Sequence, residues 1–405
     1  MKKSGSLYLS AREASAELAV APATLYAYVS RGLIRSEPTT DSRSRRYRAE
    51  DVRALKERRA PSPEPRGLRN FDADLPVLDS AVATITEDGP IYRGVNCISL
   101  AERDSLEHAA TLLWDATSVD PFIADNAPVI SEAMGAIAVA AHAAAPIDRA
   151  IAVLALAAGA DPQAFTRAPD GRAMVGGRIL RLMVSTMLNS EPSALPLHQQ
   201  IAMVWAPAEK AAPDLIRRAL VLLADHELNV STFTVRCAAS TGLNLYDATI
   251  AGLAALKGPK HGGAGALATQ LVRSLVDADL APVIRERVAL GERFPGFGHP
   301  VYKLGDPRAH ALLTALARAG AAERFTQEIP ARILEAAGEF ANIDYALAVL
   351  THTLRLPAGS ELALFAMART VGWIAHASEQ LRYGRLIRPR ARYTGPAPGR
   401  RAVHP

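Results

Sequence analysis

A predominantly α-helical protein is expected from three properties of this 405-residue chain. Alanine and leucine, both strong helix formers, dominate, aromatic residues make up 5%, and no long β-branched run occurs that would favour strands. The Ala-rich stretches 133–145 and 150–160 are cut by His142, Asp148 and Arg149. They fall short of a membrane span and read as buried helices. The length suits two or three domains with a sizeable core. Cys97 and Cys237 are too few for a disulfide framework and lack zinc-type spacing. The Met1-Lys2-Lys3-Ser4 start leads into polar residues rather than an apolar signal core, so a reducing cytoplasm is the expected compartment.

Charge is uneven. Residues 1–59 hold 13 Lys/Arg against 7 Asp/Glu, so of the formal net charge of +5 the remainder carries about −1. A site for an anionic polymer is expected at the front of the chain.

The elements follow in order. Ser10-Ala11-Arg12-Glu13 fits a capping box opening a helix through Ala19, with Ala14, Leu18 and Val20 inward. Pro22 suits the first turn of a second helix, whose Leu25, Tyr28 and Val29 share a stripe, and Gly32 ends it. Leu33-Ile34-Arg35 begins an extended segment, and residues 43–48 form the return arm of a hairpin or wing. A third helix over 50–59 turns Val52 and Leu55 inside. This order resembles the MerR-type winged helix-turn-helix domain. The matching residues are the run from Leu7 to Ala14, Thr24-Leu25-Tyr26-Ala27-Tyr28, and the Arg45-Arg46-Tyr47 wing. The resemblance implies duplex DNA as a partner, with the second helix in the major groove and the wing on the backbone. Thr24, Tyr26, Ala27 and Ser30 would then face bases or sugars, and Arg31, Arg43, Arg45 and Arg46 would meet phosphates. Ala23 and Ala27 stand where long polar side chains would read bases better. Without DNA, the same segment is a charged three-helix module that binds protein.

Domain limits are expected at 1–60 for this head, 61–75 for a spacer containing Pro61, Pro63 and Pro65, 76–395 for the main body and 396–405 for a tail. The spacer cuts off the long dimerisation helix that MerR-type regulators carry behind their wing, so pairing of two heads falls to the main body. Residues 82–86 and 91–93 suggest a hairpin around Asp88-Gly89. Amphipathic or Ala-rich helices broken by Pro and Gly follow, without an internal repeat.

Chemistry concentrates late in the chain. His261 lies in Gly258-Pro259-Lys260-His261-Gly262-Gly263, His299 in Phe297-Gly298-His299-Pro300, and Asp344 in Asn342-Ile343-Asp344-Tyr345. Glycine removes bulk and permits positive φ, so a histidine between glycines is presented rather than packed. Carbon–carbon bond formation beside a carbonyl needs such a set, a base for the C–H and donors for the developing oxyanions. Each residue also has a structural explanation. His226 can be a satisfied helix histidine, Arg369 a buried ion pair, and Asp344 the cap of the helix behind it. The His-Gly-Gly run lacks a Gly-x-Ser-x-Gly elbow, and Asp225-His226-Glu227 lacks a second His four residues on, which argues against a hydrolase or zinc site.

Six segments in this order resemble the citrate synthase family over roughly residues 76–395. They are Asp225-His226-Glu227-Leu228-Asn229, the His261 loop, Gly296-Phe297-Gly298-His299 with Asp306-Pro307-Arg308, Asn342-Ile343-Asp344, the run from Phe365 to Trp373, and Arg388-Pro389-Arg390; Tyr92-Arg93-Gly94 adds a turn. The resemblance implies an all-α two-domain subunit, its small subdomain roughly 257–345, that closes over its substrates and pairs as a homodimer. It implies acetyl-CoA as co-substrate with oxaloacetate, no further cofactor, no metal and no membrane. By position, His261 matches the histidine that stabilises the enol, His299 the one that polarises the ketone, and Asp344 the base. His226 matches a substrate-orienting histidine. Arg308, Arg369 and Arg388 match carboxylate-binding arginines, Arg388 supplied across the dimer. Lys260 and Lys303 are expected on the CoA side. Gly265 replaces a usual Asn, Lys260 an apolar residue and Pro300 an arginine, which leaves acetyl-CoA against propionyl-CoA open. A regulator that uses the synthase body as a metabolite sensor is the second class of function.

Overall fold

In the computed structural model, residues 8–18, 20–30, 32–39, 45–59 and 78–395 are described. The chain forms two units, Met1–Arg69 and Asn70–Pro405. The expected spacer 61–75, the tail 396–405, Arg31 and Arg43 lie outside the described residues.

In the first unit, β1 (Tyr8–Ser10) leads into α1 (Ala11–Leu18), α2 (Pro22–Ser30), β2 (Ser36–Pro38), β3 (Arg45–Arg48) and α3 (Ala49–Arg59). The capping box forms: the Glu13 N–H donates to Ser10 Oγ (3.3 Å), while the Glu13 carboxylate accepts the Ser10 N–H and hydroxyl, both at 2.8 Å. Gly32, at φ +71, ends α2 and lets the Leu33 N–H turn back to Tyr28 O (2.9 Å). Ala14, Leu25, Ile34, Tyr47 and Val52 form the core. One expectation needs correction. The extended segment starts at Ser36 rather than Leu33, because the helix-ending turn takes up Leu33 and Ile34, the latter buried. Strand β1, too short to show a period, pairs antiparallel with β3, giving sheet order β1-β3-β2.

The second unit begins with an antiparallel sheet, β4 (Ala83–Thr86), β5 (Gly89–Tyr92) and β6 (Val95–Asn96). Thr86 pairs with Gly89, so the turn is Glu87-Asp88, one residue earlier than expected. Fifteen α-helices follow among the described residues. They are α4 (Cys97–Arg103), α5 (Leu106–Trp114), α6 (Glu132–Ala140), α7 (Pro146–Ala160), α8 (Pro169–Leu188), α9 (Leu197–Trp205), α10 (Ala212–Leu223), α11 (Val230–Ala239), α12 (Leu245–Leu256), α13 (Gly263–Ser274), α14 (Leu280–Ala289), α15 (Pro307–Arg318), α16 (Ile329–Ala337), α17 (Ile343–Thr353) and α18 (Ser360–Tyr383). None is long and apolar enough to cross a membrane, among the described residues.

Two packing facts position the site. Helix α18, about 36 Å long at 1.5 Å per residue, is buried nearly all round and packs against α5, α8, α10, α11 and α12. A helix buried on all sides belongs in a core, where its polar side chains need partners. Helices α13 and α17 lie against each other, and both also touch α18. The starts of α11, α15 and α17 are fixed by the side chains of Asn229, Asp306 and Asn342, each accepting backbone N–H groups of its own first turn. Those first turns carry Ser231, Arg308 and Asp344.

Candidate active site

The His299 loop is shaped by glycine. Gly296 and Gly298 have φ of +85 and +72, conformations that L side chains rarely adopt. The loop is stitched to the segment before Asp344: the Gly298 N–H donates to Phe340 O (2.8 Å), the Asn342 N–H to Gly296 O (2.9 Å) and Asn342 Nδ2 to Gly298 O (2.8 Å). Residues 45 positions apart in sequence therefore face one cleft of about 770 Å³, which takes in His299, Tyr302, Lys303, Asn342 and Asp344. Ala264 and Leu267 of α13 form part of its wall. His261 does not line it.

His299 is fixed in one tautomer. Its Nδ1 accepts the Val301 and Tyr302 N–H groups (3.1 and 3.3 Å), so in the neutral ring the proton sits on Nε2, a donor. Burial, with Arg308 next, pulls its pKa down to about 4. His226 packs edge-on against His299 (centroids 5.5 Å), and its Nε2 lies 3.1 Å from Tyr302 Oη. Burial, then Arg308 and Arg369, holds His226 well below the usual imidazole range. Both rings are neutral at pH 7.

His261 sits just before α13, whose first turn has no side-chain cap. Burial, then Arg369, brings its pKa down to about 4. Its Nε2 is 2.9 Å from Ser231 Oγ. That hydroxyl also accepts Trp373 Nε1–H (3.2 Å) and lies 2.9 Å from Asn229 Oδ1, which already accepts the Thr232 N–H. One hydroxyl proton thus faces two acceptors. When it goes to His261 Nε2, the ring proton sits on Nδ1, free for a ligand. His261 rests edge-on against Phe365 (6.1 Å), and the Arg369 guanidinium lies 4.6 Å over the same ring.

Arg308 and Arg369 are both buried. Arg308 spends Nε and Nη2 on a bidentate pair with Asp306 (3.0 and 2.8 Å) and leans over Tyr302, leaving Nη1 for a ligand. Arg369 donates Nε to Leu223 O (2.9 Å) and makes no ion pair within 4.0 Å among the described residues. Burial lowers its pKa to about 10, so it remains a cation. Asp344 has its carboxyl raised to about 6 by burial, against the opposing field of Arg308. Gly265 gives it room: a methyl group there would come 4.0 Å from Asp344 Oδ1 and 3.3 Å from Glu361 Cγ.

Residues expected elsewhere differ. Lys303 is exposed at the cleft, while Lys260 is exposed on the turn before His261 and does not line it. Arg388 is exposed on the irregular segment after α18 and lines neither this cleft nor a second cavity of about 520 Å³ near Arg273 and Arg355. In the first unit Tyr26 is 54% exposed, Thr24 is half-buried, and Arg45 and Arg46 are exposed, with Arg46 over the Tyr8 ring at 5.4 Å. Sequence reasoning assigned no role to Ser231, Tyr302 or Asp306. Their signal was position alone, inside the segments that carry His226, His299 and Arg308. No cluster of three or more His, Cys, Asp or Glu that could hold a metal occurs among the described residues.

Helical body and cleft together define a known class. Residues 68–390 match the family description "Citrate synthase, C-terminal domain", so the chain belongs to the citrate synthase family. Residues 9–60 match "MerR HTH family regulatory protein". Citrate synthase 2 of Bacillus subtilis is 38% identical over 190 residues, 45% of this chain and 51% of that protein. Citrate synthase of Haloferax volcanii is 40% identical over 186 residues, covering 44% and 49%. A 2-methylcitrate synthase of Shewanella oneidensis is 34% identical over 187 residues, covering 44% and 50%. The chain thus spans about half the length of these curated relatives. Among solved structures, Thermotoga maritima citrate synthase superposes with TM-score 0.67 at 25% identity, covering 81% of this chain and 96% of that one. Thermoplasma acidophilum citrate synthase, in ternary complex with carboxymethyl coenzyme A and oxaloacetate, gives 0.63 at 25% identity, with 81% and 96% covered.

Proposed function

We propose that the chain is an acyltransferase that condenses acetyl-CoA with oxaloacetate and water to give citrate and CoA. The observation that carries this reading is that the raised carboxyl of Asp344 and the neutral imidazole of His299 face one cleft, with the buried Arg308 guanidinium packed over Tyr302 of its lining. Asp344, ionised above its raised pKa, removes the α-proton of the thioester. His261 Nδ1–H, released by Ser231 donation to Nε2, stabilises the enol oxygen, worth about 3–4 kcal/mol where water is excluded. The enol carbon attacks the oxaloacetate ketone, whose oxygen takes the His299 Nε2 proton. Water then cleaves the thioester of the adduct and releases CoA.

Arg308 Nη1 and Arg369 hold the two carboxylates, His226 orients the ketone, and Arg388 completes the set from the second subunit of a homodimer. Lys303 at the cleft, and Lys260 on the turn before His261, attract the CoA phosphates. Closure of a small subdomain over 257–345 removes water before proton abstraction. The test is thiol release from acetyl-CoA with oxaloacetate by wild type and Asp344→Asn; a loss of about 10³-fold or more is expected. An inactive wild type would refute the reading.

A propionyl-CoA reaction giving 2-methylcitrate is the close alternative, supported by the relative of that name and by the room at Gly265. The ratio of kcat/KM for the two acyl-CoAs decides between them. The N-terminal match favours an added role, binding duplex DNA through the second helix and the wing. If thiol release is absent while salt-sensitive DNA binding persists, the body serves as a metabolite sensor.

A further inference from the structure

Helix α18 carries a polar seam inside the core. Arg369, Gly372 and His376 fall on one face at i, i+3 and i+7. Across from it lies the segment leaving α10. Arg369 Nε donates to Leu223 O (2.9 Å) and the Gly372 N–H to Ala224 O (3.0 Å). The approach is close, since a methyl group on Gly372 would come within 2.1 Å of Asp225 Oδ2. Asp225 and His376 are both fully buried, and His376 Nε2 lies 3.3 Å from Asp225 Oδ2. Asp225 Oδ1 accepts the Glu227 N–H (2.8 Å), and Glu227 has φ +55, so the turn that aims His226 hangs on this carboxylate. Tyr92 Oη locks its backbone from the far side, accepting the Asp225 N–H at 3.1 Å.

Neither the Oδ2 atom nor either His376 ring nitrogen has a hydrogen bond among the described residues. A carboxylate this buried requires a donor or a cation. Two groups on α18 are available to it: His376, whose Nε2 lies 3.3 Å away, and Arg369, whose cation is favoured by Asp225 more than by any other charge.

We infer that His376 and Asp225 form a buried positioning pair that keeps Arg369 directed at a substrate carboxylate and His226 directed at the ketone. This rests on the reading that those two residues hold oxaloacetate. His376 shares the Asp225 charge. Without it Arg369 is the sole counterion, and its guanidinium turns from the cleft toward Asp225.

The test uses the full chain with His376→Leu and with His376→Gln, which keeps an N–H donor. KM for each substrate is measured, together with calorimetric Kd for oxaloacetate. His376→Leu is expected to weaken oxaloacetate by about tenfold in both constants while KM for acetyl-CoA stays within about twofold. His376→Gln is expected to recover oxaloacetate to within about threefold of wild type. Should His376→Leu fail to fold, His376→Phe, which keeps a ring of similar size and removes the donor, carries the same expectation. Unchanged oxaloacetate affinity in the folded variants overturns the inference, as does parallel weakening of both substrates without rescue by glutamine. If wild type releases no thiol yet binds oxaloacetate in a His376-dependent manner, the condensation reading fails and the pair stands. If wild type is active and His376→Leu binds oxaloacetate normally, the pair alone fails.

Discussion

Asp344 illustrates how one environment sets activity and stability in opposition. Its carboxyl titrates at about 6, whereas both loop histidines lie near 4. Turnover therefore should rise with pH through about 6, as the base ionises, with the histidines already neutral. A kcat profile whose acid limb falls near 4 would remove Asp344 from that role. The same shift has a stability consequence. Between its unfolded value near 4 and its folded value of about 6, the native state binds the proton more tightly than the unfolded chain. Stability contributed by this residue therefore falls as pH rises across that window, and at pH 8 the ionised form costs on the order of 2–3 kcal/mol. Asp344→Asn should melt higher than wild type at pH 8 and lose that advantage near pH 4. Equal melting-point differences at both pH values would contradict this account.

Elements matter because they bring distant residues into register. The His299 loop and the start of α17 are joined by backbone bonds that require Gly296 at φ +85. A methyl group there would meet Tyr345 Cβ at 2.8 Å and its backbone at 3.0 Å. Gly296→Ala is expected to destabilise the protein by about 1–3 kcal/mol and to lower kcat, because strain and clash fall on the loop that aims His299. An unchanged urea midpoint would show that the loop can relax around the methyl. Further along α18, Arg236 Nη1 meets Glu379 Oε2 at 2.9 Å, both side chains nearly inaccessible, and Arg236 also binds Gln380 Oε1. Gln380 in turn donates to Arg385 O (2.7 Å), at the start of the segment that carries Arg388. Removing Arg236 strands a buried charge, so Arg236→Ala should cost about 3–5 kcal/mol, measured by denaturant unfolding.

At the scale of the whole molecule, the basic surplus and the proposed catalytic residues belong to different units. If the head grips DNA phosphates, binding should weaken steeply with salt. Replacing Arg45 or Arg46 by Ala should then lower the slope of log K against log salt by about 1 each. Thiol release should not change. Salt-insensitive binding would dismiss phosphate contact as the basis. Arg388, exposed within one subunit, calls for a different assay: Arg388→Ala should raise KM for oxaloacetate if a second subunit presents it to the cleft.

Much was readable before folding because it is written in local chemistry. The Ser10–Glu13 capping box, Pro22 at the start of α2, Gly32 at its end and the helix-rich body each follow from contacts within a few residues. The ordered His, Asp and Arg segments likewise named the family, since a reaction fixes residue types more tightly than a fold does. What only the folded chain decided is which groups share a proton or a charge. Arg308 is half committed to Asp306, Ser231 stands between His261 and Asn229, and Asp225 Oδ2 lies 3.3 Å from His376 Nε2. These pairings join residues up to 151 positions apart, through helices whose crossing is set by side-chain packing. Periodicity fixes which face of a helix is buried, but the neighbour that meets that face is settled only when the core closes.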